Sequence, residues 1–440
     1  MPREPLPASE IPVAAAAAFF ASQLVAIGSC IGGPFKLLIA LPIVLAGFVA
    51  ASYAMWRIDG GRVTRWLLPA CFLLCVMAVV GFLAPRTVGG AWYEAAKCGY
   101  FVLGFAAVVA FWWSARWGRW AIAVMIVAAT ALHIVSPIAA PVPDIDVWLW
   151  TRVCIDALLS GVHPYTVHAA SMITGKYPTA EIYPYMPLTL LAFAPGQFLL
   201  GDYRYVSALC LPLTIGLNRA VGRRLGLDQR FVNGAMLALL LFPRGSWLTL
   251  YGWTEPLLVA LFSVFVYLAV RAPDGAGQTV AFLLLPALKQ YVVAPVWLFL
   301  AIKRPRASAV AVAVTIAAAS IVPFLIWDWR PTVAGVFVQM IAPLEPRLDS
   351  LSLVALLGRV TGVYASRWVS VVVQLVVAGI AYRKLERHGL AGVLLASALA
   401  LYATFLTGWQ AFTNYYYFVS EILLLSAMLC AAPRSNMPQR

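Results

Sequence analysis

Residues 120–150 read WAIAVMIVAATALHIVSPIAAPVPDIDVWLW, an apolar run that ends abruptly at two aspartates, Asp144 and Asp146. A helix needs about 20 mostly apolar residues to cross the hydrocarbon core of a bilayer, and residues 120–140 supply them. The run is too long and too continuous for a strand of an outer-membrane barrel, in which polar and apolar residues alternate. This stretch therefore predicts a transmembrane helix that leaves the membrane beside a pair of carboxylates.

Runs of the same kind recur along the chain, in which 63% of the 440 residues are hydrophobic and 11% are charged. Such a composition is far from that of a soluble domain. In the stretch 279–302, Pro286, Lys289 and Pro295 predict two short, broken helices. The other candidate spans are 11–31, 35–56, 66–84, 99–115, 120–140, 205–222, 231–249, 255–271, 307–327, 366–383, 390–408 and 415–432. The sequence thus predicts an all-α polytopic membrane protein with about 14 crossings.

The net charge of +14 comes from short basic clusters between the apolar runs. One continuous basic patch would indicate nucleic-acid binding, whereas this distribution follows the positive-inside rule of membrane topology. With the clusters in the cytoplasm, both termini are cytoplasmic in an inner (plasma) membrane, and 141–204 and 328–365 are extended outer segments. Residues 186–201 then form an outer helix that dips into the membrane interface and returns. The clusters are Arg57/Arg62/Arg65, Arg116/Arg119, Arg219/Arg223/Arg224/Arg230, Lys303/Arg304/Arg306 and Arg383/Lys384/Arg387.

The first outer loop carries the most informative residues. After Asp144 and Asp146 the pattern predicts an amphipathic helix that places Trp148 and Trp150 in the membrane interface and ends at Gly161. Residues two apart on a helix point about 200° away from each other, so only one aspartate can face a cleft. Asp144 follows a proline and is expected to cap the helix, which leaves Asp146 as the better proton acceptor. The simpler alternative is that neither carboxylate has a functional role.

The loop contains three motifs, which are Asp144-Ile145-Asp146, Gly161-Val162-His163-Pro164-Tyr165 and Tyr183-Pro184-Tyr185-Met186-Pro187-Leu188. They resemble the first outer loop of the GT-C membrane glycosyltransferases, in particular glycosyltransferase family 87. They also look like the loop of the eukaryotic mannosyltransferase that acts on the glycosylphosphatidylinositol precursor. Looser likenesses follow at Gly252-Trp253-Thr254-Glu255-Pro256, Lys289-Gln290-Tyr291 and Asn414-Tyr415-Tyr416-Tyr417, so that the resemblance covers about 120–432.

The resemblance implies a GT-C-type fold with a catalytic module at 119–440, preceded at 1–118 by extra transmembrane helices. In the GT-C pattern the Asp-bearing loop follows the first span, whereas about four spans precede it in this chain. The implied activity is transfer of a sugar, with mannose the first choice, from a polyprenyl-phosphate donor to a lipid-linked or cell-envelope glycan acceptor. Transfer would take place outside the cytoplasm, with inversion.

The remaining site residues follow from this chemistry. Asp146, or else Asp144, would accept the proton of the acceptor hydroxyl, and cations would stabilise the leaving phosphate. A lysine at a helix break is costly unless it pairs or meets a ligand, so Lys289 either binds the donor phosphate or forms a salt bridge with Glu255 or Asp349. The predicted donor-phosphate and substrate-binding residues are Lys289, Gln290, Glu255, His163, Tyr183, Tyr185, Arg347, Asn414 and Tyr415.

Two other functional classes stay open. A polysaccharide or lipid transporter would also have many spans and a few buried charges, but it should show related halves, and no internal repeat is visible. A non-catalytic envelope-assembly protein would tolerate substitution of both loop aspartates. The sequence assigns no cofactor and no metal ligands, although a divalent cation is compatible with the chemistry.

Overall fold

The computed structural model describes residues 10–31, 36–59, 62–64, 90–113, 115–168, 183–338 and 347–433. Within these ranges the chain is helical apart from turns and one antiparallel ribbon, in which β1 (Glu10–Pro12) pairs with β2 (Arg62–Thr64). The predicted class, an all-α polytopic membrane protein, is confirmed apart from this ribbon. The predicted span 66–84 lies outside the described residues.

The helices follow one another with short connections. In the first half of the chain they are α1 Val13–Cys30, α2 Leu41–Trp56, α3 Gly90–Trp113, α4 Ala115–Ala139, α5 Asp146–Leu159, α6 Pro187–Leu200, α7 Arg204–Arg224, α8 Gln229–Leu240 and α9 Gly245–Leu250. In the second half they are α10 Glu255–Arg271, α11 Ala276–Leu283, α12 Leu285–Leu288, α13 Val293–Lys303, α14 Ala307–Val333, α15 Leu353–Thr361, α16 Trp368–Leu385, α17 Gly389–Thr407 and α18 Thr413–Ala431. Short 3₁₀ or π turns occupy Lys36–Ala40, Pro164–Thr166, Gln290–Val292, Ala334–Val338 and Glu386–His388.

Seven segments of the described chain are long and apolar enough to cross a membrane. A helix satisfies its own backbone hydrogen bonds, which is why apolar runs of this length are helical in lipid. The segments are Val13–Cys30, Leu37–Trp56, Gly90–Ala110, Arg116–Ala139, Ala307–Val338, Trp368–Thr407 (which contains α16 and α17) and Thr413–Ala431.

Two of the predicted spans are broken in the structure. The prediction that residues 231–249 form one helix is wrong, because α8 ends at Leu240 and α9 begins only at Gly245. Pro243 lies between them; it lacks a backbone N–H and disfavours helical geometry in the residue before it. The break predicted within 279–302 is confirmed: α12 ends at Leu288, and Lys289 has an extended backbone with φ −149° and ψ 121°.

The N-terminal helices share one hydrophobic core with the C-terminal ones. α1 packs against α18, and small residues such as Ala18 let the two helices approach closely. The Ser22 and Ser420 hydroxyls lie 2.8 Å apart, and the Tyr402 hydroxyl donates to the Val44 carbonyl of α2 over 2.6 Å. α1 and α2 are therefore built into the core around α17 and α18.

The two ends of the bundle differ in chemistry. At one end, which we call the site end, Arg204 at the start of α7 bonds the Ala140 carbonyl after α4, and the Leu351 N–H donates to the Ala411 carbonyl before α18. At the other end, which we call the basic end, Asp59 pairs with Lys384 at 3.8 Å. Four described helices that start at the site end finish in basic residues, which are Arg223 and Arg224 on α7, Arg271 on α10, Lys303 on α13, and Arg383 and Lys384 on α16.

Candidate functional site

The segment between α4 and α7 has a hydrophobic core of its own. Trp148 and Trp150 of α5 are each 2% exposed, so the prediction that they lie in the membrane interface is wrong. Their rings pack inward because α6, α7 and the end of α14 supply apolar partners that the sequence alone does not bring together. We call this set the loop core; its members are Trp148, Trp150, Cys154, Ile155, Tyr165, Tyr183, Leu190, Phe193, Tyr203, Phe324 and Val336.

Arg204 joins the loop core to the helices. Its fully buried guanidinium forms a bidentate ion pair with Asp202 and donates to the Ala140 and Leu250 carbonyls, each over 2.8 Å. The same group lies 5.5 Å from the ring centre of Trp148. Sequence reasoning missed this residue, although an arginine two positions after an aspartate at a helix start was a visible signal.

The end of α5 is built as predicted around Gly161. This glycine has φ +74°, and the Val162 N–H donates back to the Ala157 carbonyl over 2.8 Å, which closes the helix. His163 then accepts the Tyr165 N–H at Nδ1, so its Nε2–H is left to donate to the Phe324 carbonyl at 3.2 Å. His163 is buried, and these bonds tie the loop to α14.

A close backbone approach holds the second half of the loop in place. A Cβ on Gly335 would lie 2.5 Å from both a Tyr165 ring carbon and the Tyr183 carbonyl, so only glycine fits there. The Gln290 amide donates to the Pro184 carbonyl over 3.0 Å and to the Val336 carbonyl over 3.2 Å. The predicted residue Gln290 therefore positions the loop by clamping two backbone segments.

The two loop aspartates have different surroundings. Asp144 is exposed and lies outside the helix; the N-cap is Ile145, whose side chain makes no capping bond, so the predicted capping by Asp144 is wrong. Asp146 is the first residue of α5 and is half-buried, and one of its oxygens accepts the Val147 N–H over 2.8 Å. Burial raises the pKa of the Asp146 carboxyl, and the charge of Arg347 acts in the opposite direction.

Glu255, Lys289 and Asn414 are buried together at the site end, and we call them the polar floor. Lys289 Nζ donates to Glu255 Oε1, which forms a buried ion pair between the first residue of α10 and the break before α13. Asn414 Nδ2 donates to the same oxygen over 2.9 Å, and the Tyr291 hydroxyl reaches it at 3.3 Å. Of the two alternatives for Lys289, the structure contains the salt bridge with Glu255.

Three half-buried tyrosines surround the lysine, and we call them the tyrosine rim. Lys289 Nζ lies 5.4 Å from the ring centre of Tyr185, 5.3 Å from that of Tyr291 and 4.9 Å from that of Tyr415. The electron-rich faces of aromatic rings attract a cation at these distances. Tyr291 was quoted only as part of a motif; its place two residues after Lys289, in the same helix break, was the signal.

Arg347 completes the charged groups. Its guanidinium binds Asp349 through two bonds of 2.7 and 2.8 Å and lies 4.9 Å from the ring centre of Phe412. The Coulomb influence of Arg347 on Asp146 and Tyr415 places all three groups in one neighbourhood.

Most of the predicted site residues thus meet at the site end. Asp146, Tyr185, Glu255, Lys289, Arg347, Asn414 and Tyr415 gather around the polar floor. His163 and Tyr183 are in the same region but are buried, Tyr183 in the loop core. Among the described residues, no group of three or more His, Cys, Asp or Glu side chains is placed to hold a metal ion.

No family model, no curated protein and no solved structure matches this chain. Its function therefore has to be inferred from the residues of the site.

Proposed function

We propose that the chain is a membrane glycosyltransferase that moves a sugar, with mannose the first choice, from a polyprenyl-phosphate donor to a glycolipid or glycan acceptor. The observation that carries this proposal is the meeting of Asp146, which comes from the α4–α7 loop, with the polar floor and tyrosine rim at the site end. A half-buried carboxylate, buried cationic and amide groups and aromatic rings together suit a phosphorylated sugar.

Asp146 is the proposed base. Its carboxylate takes the proton of the acceptor hydroxyl while that oxygen bonds to the anomeric carbon and the bond from this carbon to the phosphate oxygen breaks. A base works best when its pKa is near the working pH, and burial moves the pKa of Asp146 in that direction. Asp144 is exposed and lies before the helix, whereas Asp146 belongs to α5, so the geometry favours Asp146.

Lys289 and Arg347 are the proposed partners of the departing phosphate. An ammonium group carries three donors, and among the described contacts Glu255 uses one of them. The ion pair fixes the position of Lys289, and the remaining donors can reach phosphate oxygens from the polar floor. Arg347 is held in the same way by Asp349 and adds a second positive charge near Asp146. The leaving group is stabilised as its negative charge grows.

The proposed topology is a GT-C-type arrangement of about 14 crossings in the inner membrane, with the site end outside and both termini in the cytoplasm. The contrast between the two ends of the bundle supports this orientation, because basic residues concentrate on the cytoplasmic side of membrane proteins. In this orientation the site is outside the cytoplasm, where the donor is a lipid-linked sugar rather than a sugar nucleotide. One displacement at the anomeric carbon inverts its configuration.

The test is sugar transfer by the purified chain in proteoliposomes. Labelled polyprenyl-phosphate mannose and the corresponding arabinose donor are offered with membrane glycan acceptors, and the sugar nucleotide serves as the control donor. We expect transfer from a lipid donor only, and its loss in Asp146→Asn. Asp156→Asn changes an exposed aspartate of the same helix and should stay active. Movement of the glycolipid across the bilayer without transfer would favour a transporter instead.

A further inference from the structure

The two carboxylate oxygens of Glu255 have unequal surroundings. Oε1 accepts bonds from Lys289, Tyr291 and Asn414. Oε2 is buried, and no donor among the described residues reaches it. The whole side chain is 0% exposed. A buried carboxylate oxygen without a hydrogen bond is unfavourable, so this atom marks a place where a donor is missing.

The three bonds to Oε1 keep Oε2 from finding a partner by rotation. A half-turn of the carboxylate would only exchange its two equivalent oxygens, and a smaller turn would break the contacts with Lys289 and Asn414, so one oxygen is left without a donor in either case. An ionised carboxylate can only accept hydrogen bonds. A ligand group that satisfies Oε2 must therefore be a donor such as a hydroxyl, and an ionised phosphate oxygen is excluded.

The half-buried tyrosines beside Glu255 narrow the class of ligand. Tyr185 and Tyr415 are both close enough to Asp146 and Glu255 for the two carboxylates to act on them electrostatically, so the two tyrosines lie near both carboxylates. A pyranose presents C–H bonds on its face and hydroxyls on its edge, and the negative face of an aromatic ring packs well on such C–H bonds. Aromatic rings near a buried acceptor thus match a sugar ring with one hydroxyl directed at Glu255.

We propose that Glu255 Oε2 accepts a hydrogen bond from a hydroxyl of the sugar that is transferred, which makes Glu255 a specificity-determining residue. The proposal rests on the function proposed above and names the part of the donor that the polar floor recognises. Lys289 holds Oε1 of the same carboxylate and is assigned to the donor phosphate. The hydroxyl nearest to that phosphate, on C2 of the sugar, is therefore the expected partner.

The experiment compares donors within one protein preparation. Polyprenyl-phosphate mannose and its 2-, 3-, 4- and 6-deoxy analogues are assayed with the wild type and with Glu255→Gln, and kcat/KM is normalised to the parent donor. In the wild type, kcat/KM for the 2-deoxy donor should be roughly 100-fold or more below that for the parent donor, because a site built around a hydroxyl rejects the analogue that lacks it. In Glu255→Gln the kcat/KM values for the parent and the 2-deoxy donor should differ by no more than about threefold. The change in this ratio from the wild type measures the coupling between the Glu255 carboxylate and the C2 hydroxyl.

Two further proteins keep the result interpretable. Glu255→Gln leaves Lys289 without its anion, so the neutral pair Glu255→Gln/Lys289→Gln is measured as well. Glu421→Gln is the matched control: Glu421 is buried, accepts Asn218 Nδ2 over 2.5 Å and also has an Oε2 without a described donor, yet it lies seven residues further along α18 than Asn414. Its deoxy profile should equal that of the wild type. An unchanged profile in Glu255→Gln would overturn the inference.

Donor binding separates this inference from the proposed function. The Asp146→Asn protein is titrated with the same five donors, and affinity is measured without turnover. The inference is supported if Asp146→Asn binds the 2-deoxy donor more weakly than the parent donor and Asp146→Asn/Glu255→Gln binds the two equally. This holds even where the wild type transfers nothing. Transfer by the wild type with equal binding of all five donors would refute the inference and leave the proposed function standing.

Discussion

Glu255 and Lys289, 34 positions apart, form a buried ion pair that joins the first turn of α10 to the break before α13. The pair connects a carboxylate and an ammonium that are each almost inaccessible, at 0% and 5% exposure. Breaking such a pair leaves one charge buried without a partner, which is more costly than removing both. The two residues must therefore be tested together.

Lys289→Ala should lower the free energy of unfolding by about 3–5 kcal/mol and raise the KM for the lipid donor. Lys289→Arg keeps the charge with a different geometry and should retain part of the activity. Thermal unfolding in detergent and donor kinetics measure the two effects. If Lys289→Gln/Glu255→Gln recovers both stability and donor KM, Lys289 has a structural role only. Lys303→Ala, at the far end of α13, is the control.

Asp146 should give the rate a pH dependence. Transfer requires its ionised form, so kcat/KM should rise with pH through a pKa that lies above 3.8, the ordinary value for aspartate. Asp146→Asn should remove transfer while donor binding survives, and Asp144→Asn should keep most of the activity. The pH–rate profile and the two variants at equal expression are the measurements. Loss in Asp144→Asn alone would move the base to that residue.

The same shift has a consequence for stability with the opposite sign. The folded chain holds the Asp146 proton more tightly than the unfolded chain, so the free energy of unfolding should fall as pH rises from the unfolded pKa through the higher folded one. Asp146→Asn should flatten this part of the stability curve. Unfolding followed between pH 4 and pH 7 tests it. A curve that keeps its slope in Asp146→Asn would assign the dependence to another group.

Arg204→Gln should destabilise the fold by about 3–5 kcal/mol, because Asp202 and two backbone carbonyls lose a buried donor. Arg152 also faces the ring of Trp148, at 5.2 Å, but its side chain is 44% exposed. Arg152→Gln should therefore change stability by no more than about 1 kcal/mol. Detergent unfolding of both variants decides whether burial, rather than contact with Trp148, determines the contribution.

Gly335→Ala should push the turn Ala334–Val338 away from Tyr165 and Tyr183, because the new Cβ meets a Tyr165 ring carbon and the Tyr183 carbonyl at 2.5 Å. We expect a loss of about 1–3 kcal/mol and faster proteolysis of the loop. Gly379→Ala in α16 is the matched control, since nothing lies within 4 Å of its Cβ and helix propensity should improve. Equal stability of the two variants would contradict the proposed close approach.

Helix positions are readable from this sequence where polar residues bound an apolar run. The predicted span 255–271 coincides with α10, which begins at Glu255 and ends at Arg271. α3 begins at Gly90, earlier than the predicted 99, because Glu94 and Lys97 pair with each other and allow the helix to continue through polar positions. Hydropathy measures the free-energy cost of placing each single side chain in lipid. An ion pair lowers that cost, and a hydropathy value does not include this effect.

Contacts between residues far apart in the sequence could not be predicted from it. The periodicity of α5 gives its apolar face correctly but does not say whether Trp148 meets lipid or protein, and the structure buries it. The sequence left two partners open for Lys289, because the register between α10 and α13 depends on packing along both helices. The start of a helix beside the two aspartates, by contrast, was predictable, since the signals for a helix start are local.

The contact between Ser22 and Ser420 joins positions 398 residues apart. The ribosome therefore delivers α1 to the membrane well before it makes the packing partner α18. At roughly 5–20 residues per second, α1 waits for tens of seconds before its small-residue face is covered. A chain that stops before α18 therefore leaves the small-residue face of α1 uncovered in the membrane.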